Sequence, residues 1–219
     1  MKKTWSHLSM MAIVLGLTLG SGHARADELA DAQAYVERQN ITISSLLKQP
    51  ASASRDSQIA GVLDGYIDYE ELSRRAFGEP CPPGGSADCE KLWTKLSDTD
   101  KNDMRDLLRQ LVQKNYRKNL IRTLDFEVKY HGAREIKGES RVKTSAKNKT
   151  KIHDDTSVQV EYVVKNTGNG TFKIVDIITE NSRLTTNYFR QFVSLWKKGA
   201  EKDAPERIKT ALKKAIAKQ

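Results

Sequence analysis

At Leu124 the hydrophobic periodicity of this chain switches from helical to alternating, and that switch limits the possible folds more than any other feature. Phe126, Val128 and Tyr130 alternate with Asp125, Glu127 and Lys129, the pattern of a strand with one buried face. His131-Gly132 reads as a turn, and Ile136 to Ser145 as a second strand carrying Val142. The lysine-rich run from Lys143 to Asp155 reads as a solvated hairpin end. Thr156 to Lys165 is a third strand, with Val158, Val160, Tyr162 and Val164 on one side. Asn166 to Gly170 is a hairpin turn, rich in residues that accept positive φ. Thr171 to Thr179 is the fourth strand. It is apolar at both parities and is therefore expected to be covered on both faces.

Helices are expected on either side of this meander. Asp27 to Gln49 repeats Leu29, Val36 and Ile43 every seven residues, and a short helix follows over Asp56 to Gly65. Asp68 is placed to cap a third helix that ends at Gly78. Ser97 and Asp100 form a capping pair for the longest helix, whose stripe includes Met104, Leu108, Leu111, Val112 and Tyr116. After the fourth strand, Glu180-Asn181-Ser182 turns into an aromatic helix with Tyr188, Phe189, Phe192, Val193 and Trp196 on one face. A last helix starts at Asp203 with Ile208, Ala211, Leu212 and Ala215 as its stripe. The expected architecture is α+β: a four-stranded antiparallel sheet with flanking helices. Residues 27–219 form one domain, mainly helical over 27–123, sheet over 124–180 and helical again over 181–219.

The N-terminus has the n-, h- and c-regions of a secretory signal peptide over residues 1–26: Lys2-Lys3, the uncharged run Leu8 to Gly20, and Ala24-Arg25-Ala26. This run of thirteen uncharged residues is too short for a bilayer, which takes about 20. Export also bears on Cys81 and Cys89, which an oxidising compartment would pair. The formal net charge is +9, with acids interspersed; this favours acidic surfaces as partners and is not a nucleic-acid signature.

No catalytic signature stands out: no GxSxG, phosphate loop, HExxH or dinucleotide fingerprint occurs. His131 and His153 fall in a turn and a charged loop, without the neighbours of a metal site or triad. No metal and no cofactor are expected. Asp176 is unusual, a carboxylate inside the apolar strand FKIVDII, and is best read as held by a structural partner. The basic tail from Lys197 to Gln219 is a solvated helix face or a docking surface for an anionic partner.

Three blocks stand out: IDYEELSRRAFG from Ile67 to Gly78, WTKLSDTDKNDMRDLLRQLVQKNY from Trp93 to Tyr116, and the set Asp176, Glu180, Leu184, Asn187, Tyr188, Gln191 and Phe192. In this order they resemble the MlaC, or toluene-tolerance, family. The chain departs from the family pattern at several positions. Asn181 stands for a glycine and Arg183 for a serine, and an arginine is moved one place, to Arg190 behind Phe189. Phe172 stands where a tryptophan is typical, and the Cys81–Cys89 loop is inserted between Gly78 and Trp93.

The resemblance implies a curved sheet like that of nuclear transport factor, with an N-terminal helical lobe, enclosing an apolar cavity. It implies a monomeric periplasmic phospholipid carrier with no catalytic step. Its implied partners are an inner-membrane ABC transporter with a lipid-binding ring protein and an outer-membrane lipoprotein complex. Leu111, Tyr116, Val128, Tyr130, Val142, Val160, Tyr162, Val164, Tyr188 and Phe192 are the residues expected to wall such a cavity. Each serves equally well as solid core, and the sequence leaves that choice open. Two other readings stay beside the carrier. One is a small enzyme using Asp176 and His131; the other is a ligand-free structural module.

Overall fold

The computed structural model describes residues 21–84, 89–149, 157–168 and 170–218. Four helices come first: α1 (Ser21–Leu47), α2 (Ala53–Tyr66), α3 (Tyr69–Ala76) and α4 (Asp98–Thr123). Strands β1 (Phe126–Ile136), β2 (Glu139–Asn148), β3 (Ser157–Gly168), β4 (Thr171–Thr179) and β5 (Ser182–Arg183) follow, then α5 (Leu184–Trp196) and α6 (Ala204–Ala217). The sheet is antiparallel throughout, in the order β1-β2-β3-β4-β5. The α+β architecture is as expected from the sequence, with one strand more. The added strand is short, and arises because the chain turns back at Glu180 and Asn181, whose φ angles are +47° and +62°. The Glu180-Asn181 pair thus adopts the left-handed geometry of a tight hairpin.

The caps predicted from sequence are present. Asp68 accepts a hydrogen bond from the Glu71 N–H at 3.0 Å, and Ser97 Oγ accepts one from the Asp100 N–H at 3.1 Å. The first hairpin differs from expectation. His131-Gly132 is not a turn; β1 runs through it, and the register slips between Tyr130 and Ala133. Gly132, at φ +98°, provides a bulge, and the actual turn is Lys137-Gly138, both at positive φ. A second slip occurs where Val163 and Val164 face β4: Asp176 lies opposite Val163 and Ile174 opposite Val164, leaving Val175 without a partner.

That second bulge explains the double apolarity of β4. Phe172 and Ile174 join the helix-side core, and Ile177 packs against that core as well. Val175 and Ile178 form a small separate cluster with Val163. One inserted residue has moved the strand's later positions to the opposite parity. Bulges also bend and twist the strand that carries them, so two of them give the sheet a concave side toward the helices.

Two cores result. The first joins α1 and α2 to the sheet through Tyr35, Val36, Ile43, Leu63 and Tyr66 against Val142, Val164, Phe172 and Ile174. The second gathers Phe77, Trp93, Met104, Leu108, Leu111, Phe192, Trp196, Ile208 and Leu212 from α3 onward. Phe77 stacks on Phe192 with ring centroids 4.5 Å apart. Helix α4 serves both cores, since Val112 belongs to the first and Leu111 to the second. The Cys81–Cys89 disulfide closes the loop that leads from α3 to Trp93.

The basic tail is partly committed inside the protein. Arg207 donates to the carbonyls of Leu195, Trp196 and Ala200 at 3.0–3.1 Å, capping the C-terminal end of α5. Lys209 pairs with Asp100, Asp103 and Glu206.

Gly78 is required by both conformation and space. Its φ is +82°, and a Cβ there would lie 2.5 Å from the Glu90 carbonyl and 2.6 Å from the Phe189 ring. Gly78→Ala is therefore expected to lower stability by about 1–3 kcal/mol, read as a shift in the urea midpoint. An unchanged midpoint would contradict this packing.

Candidate functional site

The concave side of the sheet leaves a cavity of about 360 Å³ beneath α4 and α5. Val160 and Tyr162 of β3 and Ile177 and Thr179 of β4 form one wall. The register pairs Tyr162 with Ile177 and Val160 with Thr179, so all four share a face. Val112, Asn115 and Tyr116 come from α4, and Leu184, Asn187 and Tyr188 from the start of α5. Ser182 completes the lining, which contains no charged residue.

The Tyr116 and Tyr162 hydroxyls of this wall are both held by Asn40, which lies behind it. Asn40 of α1 donates to Tyr130 Oη at 3.0 Å and to Tyr162 Oη at 3.4 Å, and the Tyr116 hydroxyl donates to Asn40 Oδ1 at 3.3 Å. Burial pushes the Tyr116 hydroxyl well above its ordinary pKa and moves Tyr162 up to about 12. Both stay neutral at physiological pH, as an apolar cavity requires. Behind this hydrogen-bonded partition lies a smaller pocket of about 170 Å³, lined by Asn40, Phe126, Val128, Thr144 and Ala146 and sharing Val160 and Tyr162.

The residues singled out from the sequence divide into three groups. Tyr116, Val160, Tyr162 and Tyr188 line the main cavity. Val128 lines the smaller pocket, and Tyr130 is half-buried against the first core, bonded to Asn40. Leu111, Val142, Val164 and Phe192 are buried in solid core and line neither space. Val112, Asn115, Ile177, Thr179, Ser182, Leu184 and Asn187 also line the cavity and are not among the wall residues expected from the sequence. Four of these seven, Asn115, Ile177, Thr179 and Ser182, are polar or lie at a strand's second parity, and Val112 belongs to the apolar stripe of α4. Leu184 and Asn187 stood in the family-like block and were legible there.

Asp176 lies outside the cavity lining and is fully buried. It accepts from Arg183 Nη1 at 3.0 Å, from the Thr185 hydroxyl at 2.6 Å and from the N–H groups of Thr185 and Ile177. Burial raises its pKa, and the Thr185 bond and the Arg183 charge offset this only in part. Arg183 also grips Glu139 at 2.7 Å, and Glu139 takes Arg75 at 2.7 Å and Arg141 at 3.0 Å besides. His131 is elsewhere, with Nε2 2.6 Å from Ser145 Oγ in an outer groove. His153 lies outside the described residues. Among the described residues no group of His, Cys, Asp and Glu is arranged to hold a metal ion.

Residues 38–210 match the family model described as MlaC protein. The chain belongs to the MlaC family. The MlaC block that carries Asp176, Leu184, Asn187 and Tyr188 is the segment that joins the sheet to the roof of the cavity. The fold is similar to a solved structure from Ralstonia solanacearum, a phospholipid-binding protein in complex with a phospholipid. The two are 16% identical, with a TM-score of 0.63, over 87% of this chain and 97% of that one. No curated protein matches the sequence.

The Glu139 cluster sets a pH dependence. Burial alone would raise Glu139, but the Arg183 and Arg75 forks overcome it and hold its pKa down from 4.5 to about 2. A depressed carboxylate stabilises the fold fully above its unfolded pKa and loses that contribution as pH falls through the folded one. Wild-type stability should therefore fall between pH 4.5 and about 2, the interval set by this group. Glu139→Gln should be less stable at pH 7 and show a smaller fall over the same interval. Parallel urea midpoints for the two proteins across this range would contradict the assignment.

Proposed function

We propose that this protein is a non-catalytic carrier of phospholipid, holding acyl chain in the cavity beneath α4 and α5. The observation that carries the reading is the lining itself: apolar and aromatic side chains, neutral tyrosines, and no charge. Burying hydrocarbon there yields about 25 cal/mol per Å² removed from water. The polar groups Asn115, Thr179, Ser182 and Asn187 suit the ester and glycerol region of such a ligand. The phospholipid bound to the similar Ralstonia solanacearum protein supports the same ligand class. A cavity of this size is at the lower end of ordinary ligand sites, about 300–1,000 Å³. A second acyl chain would need the smaller pocket behind the Asn40 partition.

On this reading residues 1–26 direct export, the mature chain is one periplasmic domain over 27–219, and it works as a monomer. It takes lipid from one membrane complex and delivers it to another, an outer-membrane lipoprotein complex and an inner-membrane ABC transporter with its lipid-binding ring. No helix among the described residues is long and apolar enough to cross a membrane. The enzyme alternative needs Asp176 and His131 at the floor of one cavity. Neither lines this one, and Asp176 is enclosed by Arg183 and Thr185.

The test is direct. Protein purified without detergent and extracted with organic solvent should yield close to one phospholipid per chain by mass spectrometry. Leu184→Trp, which places an indole in the cavity, should lower that load at least about tenfold while leaving the circular dichroism spectrum unchanged. A tenfold loss corresponds to about 1.4 kcal/mol, well within what filling an apolar site removes. Lipid-free wild-type protein, or equal lipid in both proteins, would count against the carrier.

A further inference from the structure

Next to the cavity mouth, on the outer side of the sheet, is a second and very different groove of about 520 Å³. Ser182 and Asn187 belong to both spaces, and Asn187 Nδ2 donates to Ser182 Oγ at 2.8 Å across the boundary. A ligand whose chains lie in the cavity and whose polar end emerges at Ser182 and Asn187 meets this groove next.

The groove is lined by Arg134, Arg141, Arg183 and Arg190 against Glu161 and Glu180. Three of the arginines have internal partners. Arg183 is held by Asp176 and Glu139, Arg141 by Glu139 and Glu161, and Arg134 by Glu161. Arg190 is different: it is exposed and, among the described residues, makes no ion pair. Glu180 points one oxygen at its own sheet, accepting from the Gln159 N–H at 2.6 Å. The first turn of α5 contributes Thr186 and Asn187, so the positive end of a thirteen-residue helix adjoins the same space. Three of the arginines are paired and the first turn of α5 already donates to Asp176, so the uncommitted guanidinium of Arg190 is the group that favours an anion.

We propose that this groove is the headgroup subsite for the bound lipid, with Arg190 receiving the phosphate, and that it favours a net-anionic phospholipid over a zwitterionic one. The proposal deepens the carrier reading and rests on it. A guanidinium matches a phosphodiester with two parallel donors. Arg190, the one lining arginine without an internal acid among the described residues, disfavours the added ammonium of a zwitterionic headgroup. The arginine one place beyond its usual family position and the arginine at 183 both face this groove.

The experiment incubates the purified protein with vesicles of equal phosphatidylglycerol and phosphatidylethanolamine, re-isolates it and measures the ratio of the two bound lipids by mass spectrometry. Wild type should enrich phosphatidylglycerol. Arg190→Gln should lower the ratio about two- to fivefold, the range of a solvent-facing ion pair, and Arg190→Glu should lower it further. Lys202→Gln, exposed and outside the groove, is the charge-matched control and should leave the ratio unchanged. A wild-type ratio equal to that of the vesicles overturns the proposal. So does an Arg190→Gln ratio equal to wild type with lipid still bound, which would leave the groove to a partner protein. Absence of both lipids from wild type and every variant overturns the carrier reading and the subsite with it.

Discussion

The carboxylate of Asp176 is the interaction on which the rest of the site depends. A charge buried in the middle of a strand costs several kcal/mol unless it is fully paired. Here four donors meet its two oxygens, and three of them come from the segment just beyond the next turn: the Arg183 fork and the Thr185 hydroxyl and N–H. Asp176 thus acts from a distance as the cap of α5, whose own cap position, Arg183, makes no side-chain cap bond. Its removal would leave Arg183 with one acid fewer and the Thr185 N–H in the first turn of α5 open. Since Leu184, Asn187 and Tyr188 follow immediately, the roof of the cavity is positioned by this one buried anion.

The same logic extends outward. Arg183 carries the constraint to Glu139, and Glu139 carries it to Arg75 on α3 and Arg141 on β2. The polar knot therefore sits on the outer side of the sheet, while the cavity side is left to apolar groups, neutral phenols and uncharged amides and hydroxyls. That division makes a charge-free cavity compatible with a chain of net charge +9. It also places the arginines where a polar ligand end would emerge.

Much of this was legible in the sequence, and what was not has physical reasons. The bounds of β4 and the caps at Asp68 and Ser97 follow from local pattern, and the structure contains them. The bulges at Gly132 and Val175 do not follow, because a single inserted residue leaves both flanking runs looking like ordinary strand. Parity also misleads about depth. Val142 and Val164 share a face with Tyr162 and Val160, yet they sit under α1 and α2 rather than beside the cavity. On α4 one residue decides the outcome: Leu111 enters the second core, while Val112, turned by about 100°, reaches the cavity. Phe192 lies one turn past Tyr188 and stacks on Phe77 instead. Side-chain direction at this level depends on where helices cross the sheet, which no periodicity encodes.

In a phospholipid carrier of this shape, the space between Tyr116, Tyr162 and Tyr188 holds hydrocarbon. Crystals of the protein loaded with a phospholipid brominated along its acyl chain would test it most directly, through the anomalous signal of bromine. Anomalous peaks are expected inside the cavity, within contact distance of Ile177 and Leu184. Peaks confined to the protein surface, with ordered water filling the cavity, would contradict it.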